Sequence, residues 1–329
     1  MKVAILGGGG FLGQRVAARL AASGTLGGRT ITGMTLFDLA APPVIAADFP
    51  VAAIGGDIAA LPEAAMPAGT EVVFHLAAVV SAAAEADYDL GRRVNLRGTD
   101  AVIDACRRLT AAGGTPPRVV FTSSIASFSG GQSAVLDDDA KQTPANSYGT
   151  QKAAAELLLA DATRRGFMDC VALRLPTIIV RPGRPNKAAS SFFSAIVREP
   201  LLGLPAELPV PDDFKVWVGS ARSAVAWLLH AAAMETGGMG IDRSFNLPGL
   251  SVTVGQIVAA LDQVRQGASA LVSRVPDQAI ADIVGAWPAG FTAARARAFG
   301  FAPNEGLVDL VRAFVADDLE ATRRDRLSS

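Results

Sequence analysis

Two side chains four residues apart, Tyr148 and Lys152, are of types that can transfer a proton together. Residues at this spacing project from one face of a helix. A phenol in water has a pKa of about 10, roughly three units too high for a base at neutral pH, and a nearby ammonium lowers that pKa by stabilising phenolate. Ser124 follows a predicted strand, where its hydroxyl can hold a substrate oxygen. We therefore predict an acid/base site containing Ser124, Tyr148 and Lys152.

A glycine-rich turn near the N-terminus could hold a dinucleotide. Gly7, Gly10 and Gly13 are spaced G-x-x-G-x-x-G directly after an apolar run, and Phe11-Leu12 begins an Ala-rich stretch. Glycines let the backbone turn tightly and approach a pyrophosphate, which then lies at the positive end of the following helix. The position of this turn between a predicted strand and a predicted helix favours cofactor binding over a plain connector.

Asp38 closes the second predicted strand, where a carboxylate can accept hydrogen bonds from the adenosine ribose hydroxyls. A 2′-phosphate at that position would meet a like charge, and Arg15 is the one nearby arginine. The residue therefore favours NAD over NADP. The alternative is that Asp38 is an ordinary turn residue, since Asp is common in turns.

Two further segments could contact the same dinucleotide. Asp57 follows Gly-Gly after the third predicted strand and could bond the adenine amino group, with the backbone of Ile58 beside it. The run Leu76-Ala77-Ala78 ends the fourth predicted strand and offers small side chains where a dinucleotide could lie close. Both segments are also compatible with a turn and with tight packing.

The elements that must position these residues alternate through the first half of the chain. Short Val/Ile/Leu-rich runs, predicted as strands, alternate with Ala-rich helical stretches: 3–6, 31–37, 51–54, 72–76, 119–122 and 171–175. This rhythm predicts an α/β fold with a doubly wound parallel sheet, the Rossmann architecture. Residues 1–175 form the predicted NAD-binding domain. Residues 176–329 form mainly a smaller substrate-binding cap, with some segments returning to the core.

The later helical stretches are predicted from the same patterning. They are 188–198, 221–234, 253–265, 277–286 and 306–325. Ligands of doubly wound sheets bind beyond the carboxyl ends of the strands. We therefore expect these late segments to close over that crevice.

Composition excludes several classes of protein. The 329 residues are 50% hydrophobic with a formal net charge of −1, so no basic surface for nucleic acid is indicated. No apolar run reaches the roughly 20 residues of a membrane span, and the first residues lack the pattern of a signal peptide, so a cytoplasmic location is expected. The two cysteines, Cys106 and Cys170, and the two histidines, His75 and His230, are too scattered to predict a disulfide framework or a metal site.

Taken together, these motifs resemble the extended short-chain dehydrogenases and sugar epimerases over essentially the whole chain. The resemblance implies that Ser124 orients the substrate oxygen, that Tyr148 is the acid/base and that Lys152 also binds the nicotinamide ribose of NAD. It further implies that Asn95 holds the fold around the site and that Pro176 packs near the nicotinamide. Relatives commonly dimerise through helices such as 83–109 and 148–165, so a homodimer is expected.

Three departures from the family pattern indicate which reaction is catalysed. Dehydratases of the family carry Asp-Glu after the catalytic hydroxyl residue, because elimination needs its own acid and base, whereas this chain has Ile125-Ala126. Nucleotide-sugar epimerases carry a phosphate-contacting asparagine where this chain has Thr177. Arg222 replaces the usual aspartate of a later turn, and a guanidinium grips a carboxylate in bidentate fashion.

Together with residues 144–152 and 181–192, these features most closely resemble the D-erythronate dehydrogenases, which oxidise the C2 hydroxyl of a four-carbon sugar acid with NAD. We predict that Arg222 or Lys187 pairs with the substrate carboxylate. The remaining predicted substrate contacts, besides Ser124 and Tyr148, are Ser81, Thr177, Asn186, Ser190 and Ser191. The alternatives are a nucleotide-sugar epimerase and, in another class, a dinucleotide sensor without catalytic activity.

Overall fold

The computed structural model describes residues 1–131, 135–183 and 190–327, and the chain divides into two compact units. The first, called the sheet unit here, comprises Met1–Ser127, Asn146–Arg174 and Val225–Phe245. The second, called the C-terminal unit, comprises Phe128–Ala145, Leu175–Ala224 and Asn246–Ser329. Within the described ranges, no helix combines the length and the apolar character needed to cross a membrane. In the same ranges, no group of three or more His, Cys, Asp or Glu side chains is arranged to hold a metal ion.

A seven-stranded sheet forms the centre of the sheet unit. Its strands, in spatial order, are Ser244–Asn246, Asp169–Leu175, Arg118–Ser124, Thr70–His75, Lys2–Leu6, Gly33–Asp38 and Val51–Gly55. The first strand of the chain pairs in parallel with a neighbour on each side, so that Leu6 lies opposite both Phe37 and His75. The strand order reverses at this first strand, which creates the crevice where doubly wound sheets bind ligands. The prediction of a doubly wound parallel sheet is confirmed.

The sheet unit contains helices of different lengths, of which the longer ones bury apolar residues. They are Phe11–Ser23, Ser81–Ala86, Tyr88–Gly91, a π-helical turn Arg92–Arg97, Gly98–Ala111 and Ser147–Arg164, with short 3₁₀ turns at Ile58–Ala60 and Glu63–Ala65. One core cluster joins strand residues such as Val73 and Phe121 to Leu159 of the last of these helices. Cys106 and Cys170 belong to the same cluster as free buried thiols.

The C-terminal unit is built from small sheets and further helices. Its strands are Val135–Leu136, Thr177–Ile178, Ala206–Leu208, Lys215–Gly219, Leu250–Thr253, Val272–Arg274 and Gly290–Phe291. Its helices are Ser191–Leu202, Val254–Val264, Gln278–Gly285, Ala294–Ala298, Leu307–Asp317 and Leu319–Leu327, with a 3₁₀ turn at Ala268–Leu271. The helix Ala221–Ala233 begins in this unit and ends in the sheet unit, while the turn Ile125–Phe128 ends in this unit. A separate core cluster includes Phe193, Val218, Ile257 and Phe314.

The sequence missed one strand and joined helices that are separate. Ser244–Asn246 lacks the apolar run that marks the other six strands, and its pairing is set by distant residues, including the bond from Ala172 N to Arg243 O at 2.8 Å. The expected helix 83–109 is interrupted at Asp87, whose backbone is extended and whose carboxylate accepts from Leu90 N at 2.9 Å. Asp thus starts a new helix by capping it.

Candidate active site

The glycine turn follows strand Lys2–Leu6 and packs against two neighbouring segments. Gly7 has φ +91°, which favours glycine, and a Cβ added there would lie 2.6 Å from Ala77 N. A Cβ on Gly13 would lie 2.1 Å from Gly7 O. The amides of Gly7 and Gly8 donate to Phe37 O at 2.8 and 2.9 Å. Glycine is therefore required at 7 and 13 for the strand, turn and helix to approach this closely.

The helix Phe11–Ser23 begins immediately after this turn. Its N-cap residue, Gly10, makes no side-chain hydrogen bond to the first turn. The first amides of a helix point outward and carry a partial positive charge, which suits an anion. The close-packed glycines and the uncapped helix start together fit a pyrophosphate, because a side chain at either glycine would push the turn away from the neighbouring backbone that positions the helix start.

Asp38 ends strand Gly33–Asp38 and lies beside the glycine turn. Its Oδ2 accepts from Gly9 N at 2.9 Å and its Oδ1 accepts from Leu39 N at 2.8 Å. These two bonds hold the half-buried carboxylate at the edge of the turn. A fixed negative charge at this point suits ribose hydroxyls and repels a phosphate group.

The other predicted cofactor residues of the sheet unit have internal partners. Asp57 caps the turn Ile58–Ala60, accepts from Ala59 N at 3.0 Å and forms an ion pair with Arg93. Ile58 is buried, so its backbone rather than its side chain is available to a ligand. Leu76 N donates to Leu6 O at 2.8 Å, which keeps 76–78 alongside the glycine turn. The predicted contact of Asp57 with adenine stays a prediction.

Asn95 is buried in the π-helical turn Arg92–Arg97 and bridges two segments of the site. Its Oδ1 accepts from Val79 N at 2.9 Å, and its Nδ2 donates to Val79 O at 3.0 Å and to Gln151 Oε1 at 2.7 Å. The amide thereby joins the loop after Ala78 to the helix Ser147–Arg164. This geometry agrees with the fold-holding role that the family resemblance implies.

The helix that carries Tyr148 starts at a built N-cap. Asn146 Oδ1 accepts from Gly149 N at 2.7 Å, which satisfies one of the first amides of the helix. Gly149 packs so closely against the segment after Ser124 that an added Cβ would lie 2.2 Å from Ala126 O. The helix start and the end of strand Arg118–Ser124 are thus brought together. Tyr148 and Ser124 are both half-buried at this junction.

Ser124 is oriented by the turn that follows it. Its Oγ accepts from Ala126 N at 3.1 Å, and its carbonyl accepts from Ser127 Oγ at 2.9 Å. Because the backbone amide occupies an acceptor position of the hydroxyl, the hydroxyl proton is directed elsewhere and suits donation to a substrate oxygen.

Lys152 lies one helical turn after Tyr148 and is 2% exposed. Its Nζ donates to Thr122 O at 2.7 Å and lies 5.7 Å from the centroid of the Tyr148 ring. Burial lowers the pKa of Lys152 to about 7, and the carboxylate of Glu156 opposes that shift. The amine is therefore fixed at the strand end beside Ser124, within electrostatic reach of the phenol.

The remaining predicted residues are distributed as follows. Ser81 begins helix Ser81–Ala86 of the sheet unit. In the C-terminal unit, Pro176 precedes the short strand that contains Thr177, and Ser190 and Ser191 lie at the start of helix Ser191–Leu202. Asn186 and Lys187 lie outside the described residues.

Arg222 of the C-terminal unit is already paired. Its Nε and Nη2 each donate to a different oxygen of Asp317 at 2.7 Å, and its side chain is 50% exposed. The hydrogen bond to Asp317 raises the pKa of Arg222, so the guanidinium stays charged. A ligand carboxylate would have to share or replace the bond from Asp317.

The sequence did not indicate the roles of two buried polar residues on the helix that carries Lys152. Gln151 contacts Asn95, and Glu156 forms a buried ion pair with Arg174. The sequence indicates part of this arrangement, because Glu156 follows Lys152 by four residues and therefore lies on the same helix face. The partners on other strands cannot be read from that spacing.

Comparison with known proteins gives consistent matches, and the relatives cover nearly the whole chain. A model of the NAD dependent epimerase/dehydratase family matches residues 3–222. The chain is 45% identical over 326 residues to a D-erythronate dehydrogenase of Cupriavidus necator, covering 96% of this chain and 98% of that protein. It is 38% identical over 330 residues to a D-erythronate dehydrogenase of Haemophilus influenzae, covering 97% and 100%. The solved structure of a nucleoside-diphosphate-sugar epimerase from Agrobacterium tumefaciens has a TM-score of 0.91 at 43% identity, covering 97% of this chain and 95% of that one.

Proposed function

Since this chain belongs to the NAD-dependent epimerase/dehydratase family, we propose that it oxidises the C2 hydroxyl of a small sugar acid, converting D-erythronate to 2-oxo-D-erythronate. The resemblance that the motifs indicated is confirmed, and the chain is an NAD-dependent oxidoreductase. One observation carries the proposal. The buried amine of Lys152 donates to Thr122 O. Thr122 lies two residues before Ser124 on its strand, and Lys152 lies one helical turn after Tyr148 on its helix. The D-erythronate activity of two full-length relatives supports the choice of substrate.

The proposed chemistry divides between three side chains. Ser124 donates a hydrogen bond from its hydroxyl to the substrate C2 oxygen and fixes the position of that oxygen. The phenolate of Tyr148 accepts the proton of the C2 hydroxyl. The ammonium of Lys152 stabilises that phenolate and holds the nicotinamide ribose. Bound NAD supplies the acceptor for the hydride that leaves C2.

The proposed NAD contacts follow the sheet from the switch point outward. The residues Gly7, Gly10, Phe11, Leu12 and Gly13 would receive the pyrophosphate at the helix start. Asp38 would accept from the adenosine ribose, and Asp57 with the backbone of Ile58 would face the adenine. Segment 76–78 would border the nicotinamide half, and Asn95 would support that border through Val79. Pro176 is proposed beside the nicotinamide by family resemblance.

Dehydration is disfavoured by the residues that follow Ser124. Ile125 and Ala126 are 4% and 5% exposed and carry no ionisable group. Elimination of water needs an acid and a base of its own, and the turn provides neither at these positions. This supports an oxidation in which Tyr148 is the one group that exchanges a proton with substrate.

The second candidate is epimerisation of a nucleotide sugar, which the structural similarity to the Agrobacterium tumefaciens protein favours. The two reactions differ in net redox change. We expect NADH to accumulate when the protein is given NAD and D-erythronate within a panel of four- to six-carbon aldonic acids, measured by near-ultraviolet absorbance. NADP should be used poorly, because Asp38 repels a 2′-phosphate. Interconversion of sugar nucleotides without net NADH, and no oxidation of any acid, would contradict the proposed function.

The same panel tests the proposed carboxylate anchor. We propose that Arg222 or Lys187 pairs with the acid, and Arg222→Ala distinguishes them. If Arg222 is the anchor, KM for the acid rises by roughly tenfold or more while KM for NAD is unchanged. An unchanged KM for the acid excludes Arg222 and leaves Lys187. Ser81, Thr177, Asn186, Ser190 and Ser191 remain proposed contacts for the substrate hydroxyls.

We further propose that the protein is a cytoplasmic homodimer. Leu157 and Leu158 of helix Ser147–Arg164 are 71% and 41% exposed, and Tyr88 and Leu90 are 58% and 39% exposed. Helices Ser147–Arg164 and Gly98–Ala111 border a surface cavity of about 540 Å³, whose lining combines Leu96, Leu157 and Leu158 with charged side chains. Exposed apolar residues of this kind suit a helix-to-helix interface. Sedimentation equilibrium should give twice the chain mass, and Leu157→Glu should shift the protein toward monomer.

A further inference from the structure

Glu156 is a buried carboxylate on which four donors converge. It lies on helix Ser147–Arg164 and is 4% exposed. Arg174 of the neighbouring strand donates through Nε at 3.0 Å and through Nη2 at 2.7 Å to Oε2. Ser244 Oγ donates to Oε2 at 2.9 Å, and Ser123 Oγ donates to Oε1. Three different strands of the sheet thus fix one carboxylate beneath the helix.

This carboxylate shares a helix face with Lys152. The two residues are four positions apart, so their side chains are neighbours on the buried side of the helix. Lys152 is itself held by Thr122 O, and Ser123, which follows Thr122, is one of the donors to Glu156. The amine and the carboxylate are therefore anchored to successive residues of strand Arg118–Ser124.

Burying the amine of Lys152 disfavours its charged form, and the role proposed for it requires that charge. The negative charge of Glu156 favours the charged form of Lys152 and so opposes the effect of burial. The positive charge of Arg174 compensates the negative charge of Glu156. Arg174 takes no part in the hydrogen bond from Lys152 to Thr122 O. Arg174 is 8% exposed, so the ion pair is shielded from solvent and its field is weakly screened.

We propose that Glu156 is a positioning residue of this active site, whose carboxylate, held by Arg174, Ser123 and Ser244, keeps the buried Lys152 protonated for its work on Tyr148 and the ribose. The inference deepens the proposed function and rests on it for the catalytic meaning of Lys152. The effect of Glu156 on the charge of Lys152, however, can be measured without substrate or NAD.

Among the residues that the structure describes, few other groups face Lys152. Phe121 presents its ring to Nζ at 4.5 Å, and Tyr148 precedes it on the same helix. His75 lies on the adjacent strand, and burial together with the charge of Lys152 lowers the pKa of His75 to about 3, so that it is neutral at physiological pH. The guanidinium of Arg174 pairs with the carboxylate of Glu156. A change in the charge of Lys152 near neutral pH therefore reports chiefly on Glu156.

The test is NMR titration of lysine-labelled protein, in which the five lysines give few signals and Lys152→Arg assigns that of Lys152. In Glu156→Gln we expect the titration midpoint of Lys152 to fall by about one pH unit or more. Glu156→Asp, which keeps the charge, should restore most of the shift. The alkaline limb of the pH profile for sugar-acid oxidation should move down with the midpoint.

Asp169→Asn is the matched control. Asp169 begins strand Asp169–Leu175, which also carries Arg174, and it pairs with Arg118 and Arg243, so its loss also breaks ion pairs in the sheet unit. A purely structural role for Glu156 predicts that both variants lose stability and that neither moves the midpoint of Lys152. That result would overturn the inference.

Loss of Glu156 alone removes the carboxylate that pairs with the buried guanidinium of Arg174, which destabilises the fold. The double variant Glu156→Gln with Arg174→Gln removes both charges and avoids that cost. Its Lys152 midpoint should also fall, and an unchanged midpoint would overturn the inference. Activity of the Tyr148→Phe protein would instead contradict the proposed function. The titration of Lys152 would still measure the effect of Glu156 in that case.

Discussion

Tyr148→Phe is expected to lower kcat for sugar-acid oxidation by a factor of about 10² to 10⁴, the range that general acid/base catalysis contributes. The substitution removes the one oxygen proposed to accept the C2 proton and keeps the ring that lies 5.7 Å from Lys152 Nζ. KM for NAD should change little, because the proposed pyrophosphate and adenosine contacts are on other strands. Steady-state NADH formation measures kcat, and fluorescence titration measures NAD affinity.

The chain offers a close control for this change. Tyr88 is the second of its two tyrosines and is 58% exposed. Tyr88→Phe also deletes one phenolic oxygen, and it should leave kcat and KM within about twofold, as surface substitutions usually do. If Tyr148→Phe retained activity comparable to that of Tyr88→Phe, Tyr148 would not be the acid/base.

The parts of the site that could be predicted from sequence are those encoded locally. The Tyr148–Lys152 spacing follows from the pitch of one helix, and the glycine turn follows from the steric demands of one strand-turn-helix unit. The position of the Asp38 carboxylate can be predicted in the same way, because the end of a strand next to that turn has a defined position. Each of these features depends on one secondary-structure element or on two that are adjacent in the chain.

What could not be predicted depends on residues far apart in the chain. Glu156 accepts hydrogen bonds from Ser123, Arg174 and Ser244. No pattern in the sequence predicts that these three residues lie close together. The pairing of Arg222 with Asp317 joins residues 95 positions apart. Such contacts appear only when the topology has been fixed. They are also the contacts that decide whether a charged side chain is available to a ligand or already neutralised.

Gly13→Ala is expected to weaken NAD binding by a factor of about ten or more, or about 1.4 kcal/mol. The added methyl group would lie 2.1 Å from Gly7 O, 2.9 Å from Gly7 C and 3.0 Å from Gly8 Cα, all of them backbone atoms that no side-chain rotation can clear. The helix must therefore move away from the turn, and overpacking of this kind costs about 1–3 kcal/mol. The melting temperature should fall by a few degrees.

Gly237→Ala separates this effect from a general loss of glycine. Gly237 is exposed in the same unit, and an added Cβ there would have no atom within 4 Å. Its melting temperature and NAD affinity should match those of the unaltered protein. Gly10→Ala should lie between the two, because its nearest contact, Gly7 O, would be at 3.3 Å. Equal NAD affinity in all three variants would mean that the dinucleotide does not approach the chain at this turn. A loss that is largest in Gly13→Ala, smaller in Gly10→Ala and absent in Gly237→Ala would instead place the pyrophosphate against the start of helix Phe11–Ser23.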